Sequence, residues 1–517
     1  LALGLAAALL AGLAAPLAAG RAPYAMWLPG LAVLGGVTLL LTLGLRKLVP
    51  ALFRLAGLEL EPEALRALLL LFVAGFWIKG GGQLYPYMIA IDIHWHMDRV
   101  RWILDGRLAE MYRPGAFNES VMPEREFGAN RPVIPYSPFF HIFATSFAIF
   151  PWKLETTAKI FSAAIDNSRV FIIFFLGRQF GLSRRAGLLA SALYAVLPAT
   201  YLLHSWGNVP TTFGMWWTLI ACCFIIAAWG RLREPKVFAW LTAVLLATFL
   251  MYTVMAVFLG MTLIVWMAFV GFRHRDQNPQ VRAVAAGTAL ALAASLAIYY
   301  AQYIPGIVER TLPYFGTTLT QGQEAVGAIQ YQATAADNAW AYIQRLWNYG
   351  LLPVFLIAPL ALWLFARDDT SRPGAPESAF ALDAKRRWLG RTWICAMIVV
   401  ALLFIPIDRS VPMVDKHIFY LLAPLALLMG HLMDRSFADW RLLGAMGAAV
   451  LGAMMIRGIH PIFYLVPLAA LAGGWALSRA AKRWEMPALP LALTYAALLA
   501  AALELWVRRI ETVKQVW

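Results

Sequence analysis

Apolar residues fall along this chain in blocks of about twenty, separated by short loops rich in Lys and Arg. A helix needs about 20 residues, at 1.5 Å each, to cross a hydrocarbon layer about 30 Å thick. Barrel strands alternate in polarity, so unbroken runs of this length exclude a barrel. A helix satisfies its own backbone hydrogen bonds, which leaves a helical bundle as the solution in lipid. The predicted spans lie near 1–19, 25–45, 64–79, 157–177, 185–203, 211–230, 237–252, 255–272, 282–303, 349–366, 392–407, 418–433, 440–456, 459–478 and 487–507. Leu1 to Ala19 ends in small residues somewhat like a signal peptide, but it lacks a basic n-region and reads as a first membrane helix. The expected fold class is all-α: a polytopic integral membrane helical bundle. Its long extracytoplasmic loop carries an amphipathic juxtamembrane helix.

Composition agrees. Of 517 residues, 61% are hydrophobic and 14% charged, with mean hydropathy +0.67. Soluble domains run near 45–50% and 25%. The net charge of +15 would suggest nucleic acid in a soluble protein. Here the cations cluster between spans, the pattern of cytoplasmic loops, and no nucleic-acid partner is expected. The cytoplasmic set is Arg46, Lys47 and Arg54; Arg178, Arg184 and Arg185; Arg231, Arg233 and Lys236; Arg273, Arg275 and Arg282; Lys385, Arg386, Arg387 and Arg391; Arg435 and Arg441; and Arg479, Lys482 and Arg483. Gly80–Tyr136, His204–Pro210, Tyr303–Asn348 and Asp408–His417 are then outside. Between Tyr136 and Arg178 the number of crossings must be odd. The short apolar stretch Pro138–Pro151 is therefore expected to dip partly into the membrane or lie on it. Cys222, Cys223 and Cys395 sit in apolar runs without metal or disulfide spacing.

The loop after the third span concentrates the chemistry. Gly80, Gly81 and Gly82 lead to Ile91-Asp92-Ile93-His94-Trp95-His96-Met97-Asp98-Arg99. At 100° per residue, Ile93, Met97, Val100, Leu104, Leu108 and Met111 form one stripe, and Asp92, His96 and Arg99 fall opposite. Such a helix is suited to the membrane surface, with Trp95 and Trp102 at headgroup depth. Asp92 has two readings: a helix N-cap, or a base for chemistry at the lipid–water boundary. His94 and His96, two apart, point to different faces of a helix and would chelate together only from an extended segment. Further on, the prolines from Asn130 to Pro138 predict an ordered, irregular path. Asp166 and Arg169 lie mid-span, where charge is expensive, and read as an i, i+3 pair or as a functional site.

The order Asp92-Ile93-His94, Leu104-Asp105-Gly106, Tyr136-Ser137-Pro138-Phe139-Phe140-His141 and Lys159 to Asp166 resembles the GT-C superfamily of membrane glycosyltransferases. The resemblance covers about residues 64–235 and rests on short motifs whose order and spacing carry it. It implies an inverting transfer of a sugar from a polyprenyl-phosphate donor to an extracytoplasmic acceptor, a glycan, lipid or protein. Asp92 would be the general base, with His94, His96 and Arg131 orienting substrates. Tyr136, His141 and Asp166 would bind substrate, and Arg409 and Lys416 would hold the donor phosphate. The second carboxylate that often adjoins the first in this superfamily is replaced by Ile93, so no metal ligands and no cofactor are expected. The implied location is a bacterial or archaeal plasma membrane, with the site outside the cytoplasm and membrane lipids as neighbours.

The expected organisation is N-terminal membrane helices at 1–63 and a GT-C-like core at 64–303 containing the catalytic loop 80–136. An extracytoplasmic loop at 304–348 and C-terminal helices at 349–517 follow. Two other functions compete. A transporter or flippase would keep its polar residues at the bilayer midplane, where only Asp166 and Arg169 stand out. A non-enzymatic subunit of a membrane complex would leave no open space near Asp92.

Overall fold

The computed structural model describes residues 24–86, 88–115, 119–121, 124, 131–321, 325, 340, 343–346, 352–367, 377–407, 414–435, 495, 498, 499 and 502–508. The predicted spans at 1–19, 440–456 and 459–478, most of 487–507, and Arg409 lie outside these. The described residues are helical and form no strand. One isolated bridge pairs Ser120 with Ile134. The helices are α1 (Tyr24–Leu55), α2 (Pro62–Gln83), α3 (Ile91–Leu104), α4 (Leu108–Tyr112), α5 (Phe139–Ala144), α6 (Leu154–Gln179), α7 (Arg184–Val196), α8 (Pro198–Trp206), α9 (Val209–Ala227), α10 (Pro235–Met251), α11 (Thr253–Arg273), α12 (Asn278–Ile298), α13 (Leu312–Gln321), α14 (Leu352–Arg367), α15 (Glu377–Ile407) and α16 (Val414–Arg435). Among the described residues, nine helical stretches are long and apolar enough to cross a membrane.

Local chemistry sets many boundaries. Proline opens α2, α8, α9, α10 and α12, where its missing N–H costs nothing. Ser183 caps α7 by accepting from the Ala186 amide at 3.0 Å, and Asn208 caps α9 by accepting from Thr211 at 3.2 Å. Without side chains, glycines let the bundle close. A Cβ on Gly430 of α16 would meet the Ala186 carbonyl of α7 at 2.5 Å, so these helices pack backbone to backbone.

The loops sort to two ends, as the charge pattern predicts. At one end Arg184 pairs with Glu61, Arg185 lies 3.0 Å from Asp434, and Gln179 reaches the Ala56 carbonyl. The Trp229 indole donates to Gln277 at 2.9 Å at a neighbouring pair of basic loops. At the other end Arg310 pairs with Glu119, Gln302 donates to the Tyr112 carbonyl, and Lys416 reaches Thr211 and Tyr252. The crossing count also resolves. Phe139–Ile149 comprises six α-helical and five 3-10 residues, too short to span. The 26-residue α6, about 39 Å of helix, is long and apolar enough for the one crossing that parity requires before Arg178. Residues 304–321, expected within a loop, are helical.

The apolar stripe of α3 differs from expectation. Ile93, Met97 and Val100 pack into the protein against Phe140, Phe147 and Phe213 rather than against lipid. The neighbouring α5 and α9 supply an apolar surface closer than the membrane. Ile91, Trp95, Leu104 and Leu108 stay exposed.

Candidate functional site

The helix carrying Asp92 begins at Ile91, and its cap position is Ala90, in the left-handed conformation with no capping side chain. Asp92 therefore lies inside the first turn. The capping reading of Asp92 is overturned, because the chain turns into α3 through Ala90, two residues earlier than a cap at Asp92 requires. Asp92 is half-buried.

One turn on, His96 is buried, and its Nδ1 lies 3.1 Å from Nε2 of His141 on α5. The Arg99 guanidinium stacks 3.4 Å from the Trp95 ring centre and 5.1 Å from that of Tyr136. Tyr136 meets the Tyr252 ring edge-on at 5.8 Å. Lys416, from the first turn of α16, donates to the Tyr252 hydroxyl at 3.1 Å and to Thr211 Oγ1 at 2.8 Å. Residues from five distant parts of the chain thus meet: α3, the segment 131–141, the N-terminal ends of α9 and α11, and α16.

Electrostatics follow from burial beside cations. Burial, then His141, Arg99 and Lys416, hold His96 well below the usual histidine range; burial and Arg99 do the same to His141. Both rings are neutral at pH 7, so one donates and the other accepts between them. Burial lowers Arg99 to about 10. Burial, Tyr252 and the charge of Asp92 raise Tyr136, with Arg99 opposing. The Asp92 carboxylate thus acts on the same ring that Arg99 faces. Among the described residues no three of His, Cys, Asp and Glu converge to hold a metal ion. Arg99 and Lys416 would repel one at the histidine pair.

The irregular segment stays ordered because buried hydroxyls take its backbone carbonyls, which could not otherwise leave water. Thr311 donates to Val133 O at 2.9 Å, Thr253 to Pro135 O at 2.6 Å, and Tyr299 to Tyr136 O at 2.9 Å. Ser137 in turn donates to the Leu250 carbonyl.

A second polar cluster lies inside the bundle. Asp166, with no exposed surface, accepts from Lys79 at 2.5 Å, Arg169 at 3.0 Å and the Tyr194 hydroxyl at 2.7 Å; His204 Nε2 lies 3.2 Å away. Arg169 also donates to the Thr212 carbonyl, one residue from the Thr211 that Lys416 holds.

The sequence candidates therefore separate. His96, Tyr136, His141 and Lys416 come together beside Asp92. Exposed His94 turns to the flank, 3.8 Å from Glu155. Buried Arg131 pairs with Glu124 at 3.0 Å. Asp166 belongs to the inner cluster. Sequence reasoning missed Arg99, Tyr252 and Thr211, which carry no local signal, and Lys79 and His204. Lys79 had one: a lone cation at the end of an apolar run.

No family model and no curated relative matches the sequence. Solved structures similar to this chain include two of one protein. They are of ArnT from Cupriavidus metallidurans. In the apo state the identity is 14% and the TM-score 0.45, over 80% of this chain and 77% of that one. In that protein bound to undecaprenyl phosphate, the identity is 15% and the TM-score 0.43, over the same shares.

Proposed function

We propose that this chain is an inverting glycosyltransferase of the GT-C type, which takes its sugar from a polyprenyl-phosphate carrier. The observation that carries the reading is the convergence at one end of the bundle. A half-buried carboxylate, Asp92, lies one turn before His96 on α3, Arg99 faces the Tyr136 ring at 5.1 Å, and Lys416 reaches the Tyr252 hydroxyl, whose ring meets that of Tyr136. Inverting transfer needs a base on one side of the anomeric carbon and positive charge where the phosphate departs. Asp92 takes the proton of the acceptor hydroxyl, whose oxygen forms the new bond to the anomeric carbon. The bond from that carbon to the phosphate oxygen breaks, and its electron pair leaves with the lipid phosphate. Lys416 meets that developing charge, with Arg409 as its expected companion. His96 and His141, both neutral, offer hydrogen bonds to sugar hydroxyls without adding charge, and Tyr136 lines the same space. Arg131 and His94, set apart from this cluster, serve the acceptor side. Asp166 keeps its carboxylate for Lys79, Arg169 and Tyr194. The site faces outward, as the positive-inside pattern has it.

Mass spectrometry of lipid copurified with the protein should find a polyprenyl phosphate. The Asp92→Asn protein should keep its thermal stability, since at most a helix-dipole interaction of about 0.3–1 kcal/mol is at risk. Its transfer should fall by roughly a hundredfold or more. Retained transfer would remove Asp92 as the base.

A further inference from the structure

The way α3 starts is unusual in this chain. Ala90 has φ 50 and ψ 66, and among the described residues it is the one non-glycine in the left-handed region. An L side chain resists that conformation. Starting a helix does not require it: an ordinary cap takes extended angles and offers a side-chain acceptor. Ala90 offers none, and it is buried.

What holds Ala90 is Gly207, which ends α8 in the same region with φ 79. A Cβ at Gly207 would come within 2.7 Å of Ile93 Cγ1, 2.8 Å of the Ala90 carbonyl oxygen and 2.9 Å of Ala90 Cβ. The bare glycine is thus in contact with the residues on both sides of Asp92. Nearby, Lys159 of α6 donates to the Met88 carbonyl at 2.8 Å. Gly207 is itself tied down. Its amide donates to the His204 carbonyl at 3.0 Å, Gln83 donates to the same carbonyl at 3.3 Å, and the His204 ring rests on Asp166. Backbone in a sparsely populated region persists when its surroundings over-determine it, and these contacts do so from α2, α6 and α8.

We infer that Gly207 and Ala90 are positioning residues, a fitted pair of left-handed turns that aims the Asp92 carboxylate at the reacting hydroxyl. This rests on the reading of Asp92 as the base. A base displaced by about 1 Å loses on the order of a hundredfold in rate, while binding contacts made elsewhere survive.

The test uses full-length protein in detergent with three readouts. These are release of free polyprenyl phosphate from a total membrane lipid extract containing polyprenyl-phosphate-linked sugars and acceptors, affinity for undecaprenyl phosphate, and hydrogen exchange over residues 90–96. Gly207→Ala should lower turnover at saturating extract by roughly tenfold or more and speed exchange over 90–96. Its affinity for undecaprenyl phosphate, held by Lys416, should stay within about twofold of the parent. Adding Ala90→Gly removes only the farthest of the three atoms the new methyl meets, leaves the Ile93 Cγ1 and Ala90 carbonyl contacts and frees the turn, so the double variant should be at least as impaired as Gly207→Ala. If Gly207→Ala does not accumulate, Ala90→Gly alone decides. It should speed exchange and lower turnover severalfold with an unchanged melting temperature. Unchanged turnover in the decisive variant, or a double variant restored to the parent's turnover, overturns the inference. Asp92→Asn is run alongside. If it keeps full turnover, the reading of Asp92 has failed; if it is inactive while Gly207→Ala is normal, only the positioning has failed.

Discussion

The chain holds two clusters of buried charge, and they are built on opposite plans. Around Asp166 one carboxylate is enclosed by two cations, a tyrosine hydroxyl and an imidazole, and Lys79 and Asp166 have no exposed surface at all. Around Tyr136 the cations Arg99 and Lys416 lean on aromatic rings and hydroxyls, the imidazoles are neutral, and Asp92 is only half-buried. The first spends its charge internally. The second keeps its cations on neutral partners, which an anionic ligand would outcompete, because hydrogen bonds between ions are roughly twice as strong as neutral ones. In a membrane protein, then, the presence of a buried charge says less about function than what its partner is and whether water reaches either of them.

The largest effect should come from breaking the inner cluster. Asp166→Asn removes the one carboxylate between Lys79 and Arg169 and leaves two cations facing each other. A loss of about 3–5 kcal/mol is expected, seen as a collapse in melting temperature and yield. A stable but inactive Asp166→Asn protein would erase the contrast by making Asp166 part of the chemistry.

In the outer cluster the same kind of change should touch ligand rather than fold. Lys416→Met removes a charge-assisted contact of about 1.5–3 kcal/mol, so affinity for undecaprenyl phosphate should weaken roughly ten- to hundredfold. Melting in the absence of lipid should barely move. Unchanged affinity would return Lys416 to a purely structural hold on α9 and α11.

The histidine pair of the outer cluster adds an effect that depends on pH. His96 and His141 have folded values below the unfolded one, so the stability they contribute is complete above about pH 6.5. It is lost as pH falls, because the unfolded chain then binds protons the native rings refuse. The slope is about 1.4 kcal/mol per pH unit for each ring until its folded value is reached. Melting temperature measured from pH 7.5 to 5 should fall below pH 6.5, and the His96→Gln, His141→Gln protein should show a flatter profile. A flat parent profile would mean that the pair is already charged or open to water.

Much of the fold was legible because lipid imposes one-dimensional rules. Span length, loop charge and crossing parity are all local or countable, and they anticipated the two ends of the bundle and the non-crossing element at 138–151. The site was legible only in part. Asp92 and Tyr136 stood out through neighbouring motif residues, and Lys416 through its place at the end of a late span. Arg99 and Tyr252 did not, since an arginine on a loop helix and a tyrosine between two spans are ordinary residues until folding stacks them. Asp92 was weighed as a cap because sequence cannot show that Ala90 takes a left-handed turn. That turn packs against Gly207, more than a hundred residues away, where a side chain would clash.

By itself the sequence determined that this protein is a helical membrane bundle with its polar chemistry beyond one end. An apolar run of twenty residues has no other stable form in lipid, and a charged loop has no stable place within it. Only the tertiary structure decided which charges neutralise one another and which stay available. A pairing such as Lys79 with Asp166, or Lys416 with Tyr252, depends on helix rotation and depth. Those are set by close packing at small residues such as Gly430, and by contacts across the whole bundle that no local pattern in the chain encodes.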